Sequence, residues 1–307
     1  MTHSHTPASP LRPANRRAFL QAGLAGLGGA ILMPACLGAG KPAAPAAPAG
    51  PDDVPLDLHV HLDNSTIDQV LPLARERGVR FGVVEHAGTK ENIYPVVLSN
   101  DEELGRYLAM LEGKPVFKGV QAEWIDWPSC FSPAMLARLD YILTDAMTFP
   151  GKDGRSRVKL WETGAETRVD MSDPQAFMDR YVAWHVDIIE RQPIDVLANV
   201  SWLPGPMLAD YEAFWTPPRV RRVVEAAVRN TVALEISSSF RLPRASFLRI
   251  AKDAGVKFTF GSNGRYPRMG LLEYSGQMAR ELGLTKADMF VPAPDGQKAV
   301  QRRKWKA

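Results

Sequence analysis

Short apolar or β-branched runs alternate along this chain with longer segments in which apolar residues return every three or four positions. The short runs fall at residues 56–61, 80–86, 116–124, 141–147, 195–202, 232–239 and 257–262, each beside turn residues. The amphipathic segments fall between and after them, at 67–77, 101–112, 133–139, 174–191, 219–229, 244–254 and 275–282. Several carry start signals: Ser172-Asp173-Pro174 offers a cap and a first-turn proline, and Pro217-Pro218 does the same before Arg219. Glycine follows at Gly78, Gly113, Gly255 and Gly283, where a left-handed helix end is wanted. Seven strand–helix units in series predict parallel strands with right-handed crossovers. The expected fold is α/β, a distorted seven-stranded (β/α)7 TIM-like barrel spanning residues 55–290.

The first strand carries the chemistry. In Leu56-Asp57-Leu58-His59-Val60-His61-Leu62-Asp63, side chains two apart share a face, so Asp57, His59 and His61 point one way and Leu58, Val60 and Leu62 the other. Two imidazoles side by side at a strand end can reach one cation together. The chain has six histidines; His3 and His5 lie in the leader, His59, His61 and His86 end the first two expected strands, and His185 lies elsewhere. In such a barrel the chemistry gathers at the C-terminal strand ends. Those ends carry His59 and His61, Glu85 and His86, Glu123, Asp145, Asn199, Glu235, and Ser262, Asn263 and Arg265.

At 307 residues the chain is long enough for one large core, but the first fifty residues do not belong to it. Asn15-Arg16-Arg17-Ala18-Phe19-Leu20 and the Gly/Ala-rich apolar run from Ala22 to Met33 predict a twin-arginine export signal over 1–36, too short and glycine-rich for a transmembrane anchor. The expected destination is the periplasm or the cell envelope. Leu32-Met33-Pro34-Ala35-Cys36 is an imperfect lipobox that would attach the protein to the membrane through Cys36; cleavage within the Ala/Pro-rich linker, 37–54, is the alternative. Beyond Cys36 the sole cysteine is Cys130, so the folded part has no disulfide framework. Arg12, Arg16, Arg17 and Lys41 give residues 1–50 a charge of +4; the remaining 33 basic and 34 acidic residues leave the rest at −1. A near-neutral domain gives no electrostatic case for nucleic acid. The tail over 291–307 is basic and reads as a solvated terminus.

One connection, 148–173, is long enough for a lid or substrate loop. Its segments 156–161 and 167–171 alternate as the arms of a small hairpin would, and Lys152, Arg155, Arg157, Lys159 and Trp161 are candidate partners for an anionic or carbohydrate-like substrate; a solvated, charged excursion is the alternative.

Several of these residues resemble motifs of the polymerase and histidinol phosphatase (PHP) superfamily of metal-dependent phosphoesterases. The likeness covers most of 56–290: Asp57-Leu58-His59-Val60-His61, Val83-Val84-Glu85-His86, Gly119-Val120-Gln121-Ala122-Glu123, Leu234-Glu235-Ile236-Ser237-Ser238 and Gly261-Ser262-Asn263-Gly264-Arg265. It implies a barrel with up to three ions, often zinc, manganese or iron, that activate a water against a phosphate ester. Met147, Asn199, Asn263 and Arg265 stand where that superfamily carries ligands. Arginine cannot ligate and a neutral amide ligates weakly, so one or two divalent ions (Zn, Mn or Fe) are expected instead.

The expected metal ligands are therefore His59, His61, His86, Glu123 and Asp145. Asp145 or Glu85 is the expected general base, and Arg265 the cation that steadies developing charge. Arg265, Asn199, Asn263, Lys152 and Arg157 are the expected substrate contacts. The reading is a metal-dependent hydrolase acting on a small anionic or carbohydrate-like substrate. A lyase on a polar carbohydrate stays open, as does a barrel of another class, one that has lost its ligands and only binds at the envelope.

Overall fold

The computed structural model describes residues 54–292. The expected export signal with Cys36, the linker up to residue 53 and the tail from residue 293 lie outside the described residues. Ten strands form: β1 (Leu56–Val60), β2 (Arg80–Ala87), β3 (Val97–Leu98), β4 (Phe117–Ala122), β5 (Tyr141–Thr144), β6 (Thr148–Pro150), β7 (Arg157–Lys159), β8 (Val196–Leu197), β9 (Ala233–Ser237) and β10 (Phe258–Gly261). Seven of them close a parallel barrel in the order β1-β10-β9-β8-β5-β4-β2, and β1 pairs back onto β2. β3 extends the sheet beside β2.

Local chemistry explains the helices between them. Ile67–Arg77 begins at a Thr66/Gln69 capping box and ends at Gly78, whose φ of 59° lies in the left-handed region open to glycine. Pro174–Arg191 begins where the Asp173 carboxylate accepts from the backbone N–H groups of Gln175 and Ala176. The longer helices bury an apolar face, as Val220, Val223, Val224 and Ala227 do for Pro217–Asn230. Among the described residues no helix is long and apolar enough to cross a membrane.

A second, smaller apolar cluster is drawn from strands and the residues beside them and fills the barrel floor: Leu58, Val84, Tyr141, Leu143, Val196, Ala198 and Ala233. Tyr141 crosses that floor and donates from its hydroxyl to the Leu58 carbonyl at 2.8 Å. Gly82 and Gly119 make room for it: a Cβ at either would stand 2.3 Å from the Tyr141 oxygen or 2.6 Å from its ring. Leu58 thus faces inward, against the simple alternation expected for β1. A register shift between Asp57 and Val60 accounts for this. Asp57 turns away from the histidines and accepts from Ser262 N, Ser262 Oγ and Gly270 N.

The long connection does form a hairpin, but its first arm is β6 rather than a segment after residue 156. Asp153 accepts from the N–H groups of Arg155 and Ser156 and sets the turn, and Leu160 N donates to Met147 O. The expected second arm forms no strand: its first two residues belong to the helical turn Ala165–Arg168 and the rest is irregular.

Candidate metal centre

Past the Tyr141 floor, towards the C-terminal strand ends, the barrel interior turns polar. The chain leaving β1 is zipped to the loop after β10: Gly264 N donates to His59 O at 3.1 Å, and His61 N donates to Gly264 O at 2.9 Å. Leu62 N donates to Glu85 Oε1 at 2.8 Å. These backbone ties hold His61 and Asp63 against Glu85 and His86 of β2.

His61, Asp63 and His86 converge, with the Glu85 carboxyl paired beside Asp63, and these side chains carry atoms that nothing outside the cluster satisfies. They are Nδ1 and Nε2 of His61, Nε2 of His86, Oδ1 of Asp63 and Oε2 of Glu85, all buried. One ligand atom each from His61, Asp63 and His86 lies within 4.8 Å of the others. The His61 and His86 rings stack with centroids 4.7 Å apart and 17° between planes. Burying a polar atom unsatisfied costs about 1–3 kcal/mol, so several together need an explanation. Two imidazoles and one or two carboxylates suit zinc, manganese or iron, and three ligands leave positions open for water and substrate. The residues fit a divalent cation.

The surroundings prepare those atoms. His86 Nδ1 is hydrogen-bonded to Glu123 Oε1 at 2.7 Å, which turns Nε2 towards His61 and Asp63. Burial, the Arg265 guanidinium and His59 hold the His86 pKa down to about 3 against the pull of Asp63 and Asp145, so its ring is neutral, as a ligand must be. Burial, with His86, His59 and Arg265 close by, takes His61 well below its usual value. Burial foremost, and then the nearby Asp63 charge, raises Glu85 to about 8; burial likewise raises Glu123 to about 8. Arg265 Nε donates to Asp63 Oδ2 at 2.9 Å and leaves Oδ1 free.

His59 sits differently. Its Nδ1 meets Glu235 Oε1 at 2.8 Å and its Nε2 meets Gln121 Oε1 at 3.0 Å. Burial opposes charge on this ring, but the Glu235 carboxylate and the hydrogen bonds to Glu235 and Gln121 outweigh it and raise its pKa. Both nitrogens are engaged, so His59 is outside the set of free ligand atoms. The network continues: Gln121 Nε2 donates to Asp145 Oδ2 at 3.4 Å, Asn199 Nδ2 donates to Asp145 Oδ2 at 3.3 Å, and Asn199 N donates to Glu235 Oε2 at 2.7 Å. Met147 N donates to Asp145 Oδ1 at 2.9 Å. Burial and the Glu123 charge raise Asp145 to about 6.

Asn263 accepts from Arg265 Nη1 at 2.8 Å and so props the guanidinium. Lys152 and Arg157 stand apart from the cluster. Lys152 donates to Thr167 O and lines an outer groove with Phe149 and Trp184; Arg157 pairs with Asp126 and Glu91. The hairpin reaches the site through Lys159, whose Nζ lies 3.7 Å from the centroid of the Tyr94 ring. Tyr94 in turn stacks on His86 at 3.6 Å and 7° and donates to Glu123 Oε2 at 3.3 Å. Sequence reasoning passed over Tyr94 and, more importantly, Asp63. Asp63 continues the odd-numbered series of Asp57, His59 and His61, which was the signal available for it.

No family model and no curated protein match this chain. Among solved structures, it is similar to the crystal structure of HpcH/HpaI aldolase from Desulfitobacterium hafniense DCB-2, with 13% sequence identity, a TM-score of 0.34, and coverage of 76% of this chain and 95% of that one. A likeness that slight says nothing about this chain's reaction. The expected membership of the PHP superfamily is corrected: no family model supports it. The reason lies in the motifs themselves. Histidine and carboxylate at successive strand ends are what any metal-binding barrel of this topology would place there, so short motifs in that order do not single out one family.

Proposed function

We propose that this protein is an enzyme that depends on one divalent cation held by His61, Asp63 and His86, with Glu85 beside them, and that it hydrolyses a small polar substrate. The observation that carries the reading is the convergence of unpartnered buried atoms from His61, Asp63 and His86 within 4.8 Å of one another. A divalent cation supplies Lewis acidity there: it lowers the pKa of a water and polarises a carbonyl or phosphoryl oxygen.

The chain's own residues do the rest. Glu123 fixes the His86 ring through Nδ1, and Arg265 fixes the Asp63 carboxylate through Oδ2. Asp145, held by Gln121, Asn199 and the Met147 N–H, is ionised at neutral pH with a pKa near 6, and so can accept a proton from an attacking water. Tyr94, lying flat on His86 beneath Lys159, keeps bulk water from that side of the ring.

The test is elemental analysis of the purified full chain, followed by a screen of generic ester substrates with and without added Zn, Mn or Fe. The expected result is close to one ion per chain and turnover that disappears in His61→Ala. A protein that holds no ion after saturation with all three metals overturns the reading and favours a barrel that only binds.

A further inference from the structure

A cavity of about 450 Å3 opens beside the candidate centre, lined among others by Ser238, Ser239, Asn263, Arg265, Arg268 and Glu273. It lies within the size range of small-molecule sites. We propose that this cavity receives an oxyanion group of the substrate, a carboxylate or a phosphate, and so makes the substrate a small acid or phosphate ester. The proposal rests on the metal-dependent reading above and names its substrate class.

Three observations carry it. First, the cavity is wired to both halves of the candidate centre. Arg265 lines it and is bonded to Asp63, one of the proposed ligands. On the other side Ser239 Oγ is 3.3 Å from Ser237 Oγ, Ser237 Oγ donates to Asn199 Oδ1 at 3.3 Å, and Asn199 Nδ2 donates to Asp145. A molecule seated in the cavity is therefore one residue from the cation site at one end and a short hydrogen-bonded string from the proposed base at the other.

Second, the charge favours an anion. Arg268 forms no ion pair with any carboxylate among the described residues, and Arg265 shares its guanidinium with a single acid, Asp63. Glu273, exposed on the rim, is the sole acid among the described residues that line the cavity. Arginine presents a planar fork of donors that matches a carboxylate or phosphate face, and the serine hydroxyls add donors that suit either.

Third, the wall is built rather than loose. Gly264 is buried so tightly that a Cβ there would stand 2.4 Å from the Met269 Cα, and its backbone is tied to His59 and His61. Arg265 is further held by the Asn263 side chain, and Asn64 Nδ2 donates to Tyr266 O at 2.9 Å. A rigid wall lowers the ordering cost of binding.

The experiment measures binding of two probes, malonate and inorganic phosphate, to the full chain by titration calorimetry, before and after dialysis against a chelator. Metal content is read on the same samples. Arg268 touches none of the proposed ligands, so Arg268→Ala should keep the metal content of the wild type while weakening the better probe about tenfold. Arg268→Lys should retain most of the affinity, which guards against a folding artefact. Glu273→Gln should tighten the same probe severalfold. A preference for malonate assigns a carboxylate substrate and a preference for phosphate a phosphate ester. Failure of the metal-dependent reading would show as absence of metal, independently of the probe titrations. The proposal is overturned if neither probe binds the wild type, or if Arg268→Ala and Glu273→Gln both leave the dissociation constants unchanged.

Discussion

Two buried histidines of this protein meet opposite fates. His185 sits on the helix Pro174–Arg191, 1% exposed, with Nδ1 at 2.7 Å from the Tyr181 carbonyl and its ring edge-on to Tyr181 and Trp215. It is a core residue with its polar need met locally. His61, at 0% exposure, has no hydrogen-bond partner for either nitrogen and lies between the rings of His59 and His86. Burial is the same for both, so burial does not mark a site. What marks it is that unsatisfied atoms of groups able to ligate a metal lie within 4.8 Å of one another, whereas the unsatisfied Tyr181 hydroxyl and Trp215 N–H beside His185 belong to no such group.

The comparison breaks first on metal. His61→Ala should remove the bound ion and all metal-dependent turnover, as elemental analysis and an activity assay would show. His185→Ala should leave the metal content untouched. On stability the order reverses. Emptying the packed site of His185 should cost about 2–4 kcal/mol, read by denaturant unfolding. His61→Ala removes a side chain whose nitrogens are unsatisfied, and should cost the metal-free protein far less.

Acid should sharpen the contrast. Burial lowers the His185 pKa to about 4, against an ordinary value of 6.5. The unfolded chain therefore binds the proton first, and stability contributed by the neutral ring is present above pH 6.5 and lost as pH falls towards 4. The full effect is about 3 kcal/mol. Unfolding free energies measured from pH 7 to pH 4 should fall less steeply in His185→Gln than in the wild type; parallel curves would remove this histidine from the acid response.

The smallest expected effect concerns orientation. Glu123 is bonded to the far nitrogen of His86, so Glu123→Ala should weaken metal binding about ten- to hundredfold, while Glu123→Gln, which still offers an acceptor, should keep most of it. Equal losses in the two variants would mean that Glu123 does more than hold the ring.

Much of the barrel was legible in the sequence because its signals are local. Asp173-Pro174, Pro217-Pro218 and Gly78 mark helix ends by chemistry that acts within one turn, and the corresponding helices start and stop where those signals stand. What escaped was non-local. The inward turn of Leu58 follows from a register shift against β2, which no periodicity within β1 reveals. The hairpin arm β6 is chosen by pairing across the turn at Asp153, not by its own composition. At the site, the strand-end residues were visible as types, but their roles depend on partners from other strands. His59 is engaged by Glu235 and Gln121, 176 and 62 residues away, while Asp63, two residues beyond the last inward histidine, comes free because Arg265 takes only one of its oxygens.

The central claim is that the free atoms of His61, Asp63 and His86 exist to hold one cation. The most direct test is thermal or chemical unfolding of the full chain with and without a saturating divalent metal, in wild type and Asp63→Ala. At a free metal concentration a hundred times the dissociation constant, one site should stabilise the wild type by about 2.7 kcal/mol. The account predicts that gain, with about one ion bound per chain, and its loss in Asp63→Ala. An equal gain in Asp63→Ala, or none in the wild type with any of Zn, Mn or Fe, would contradict it.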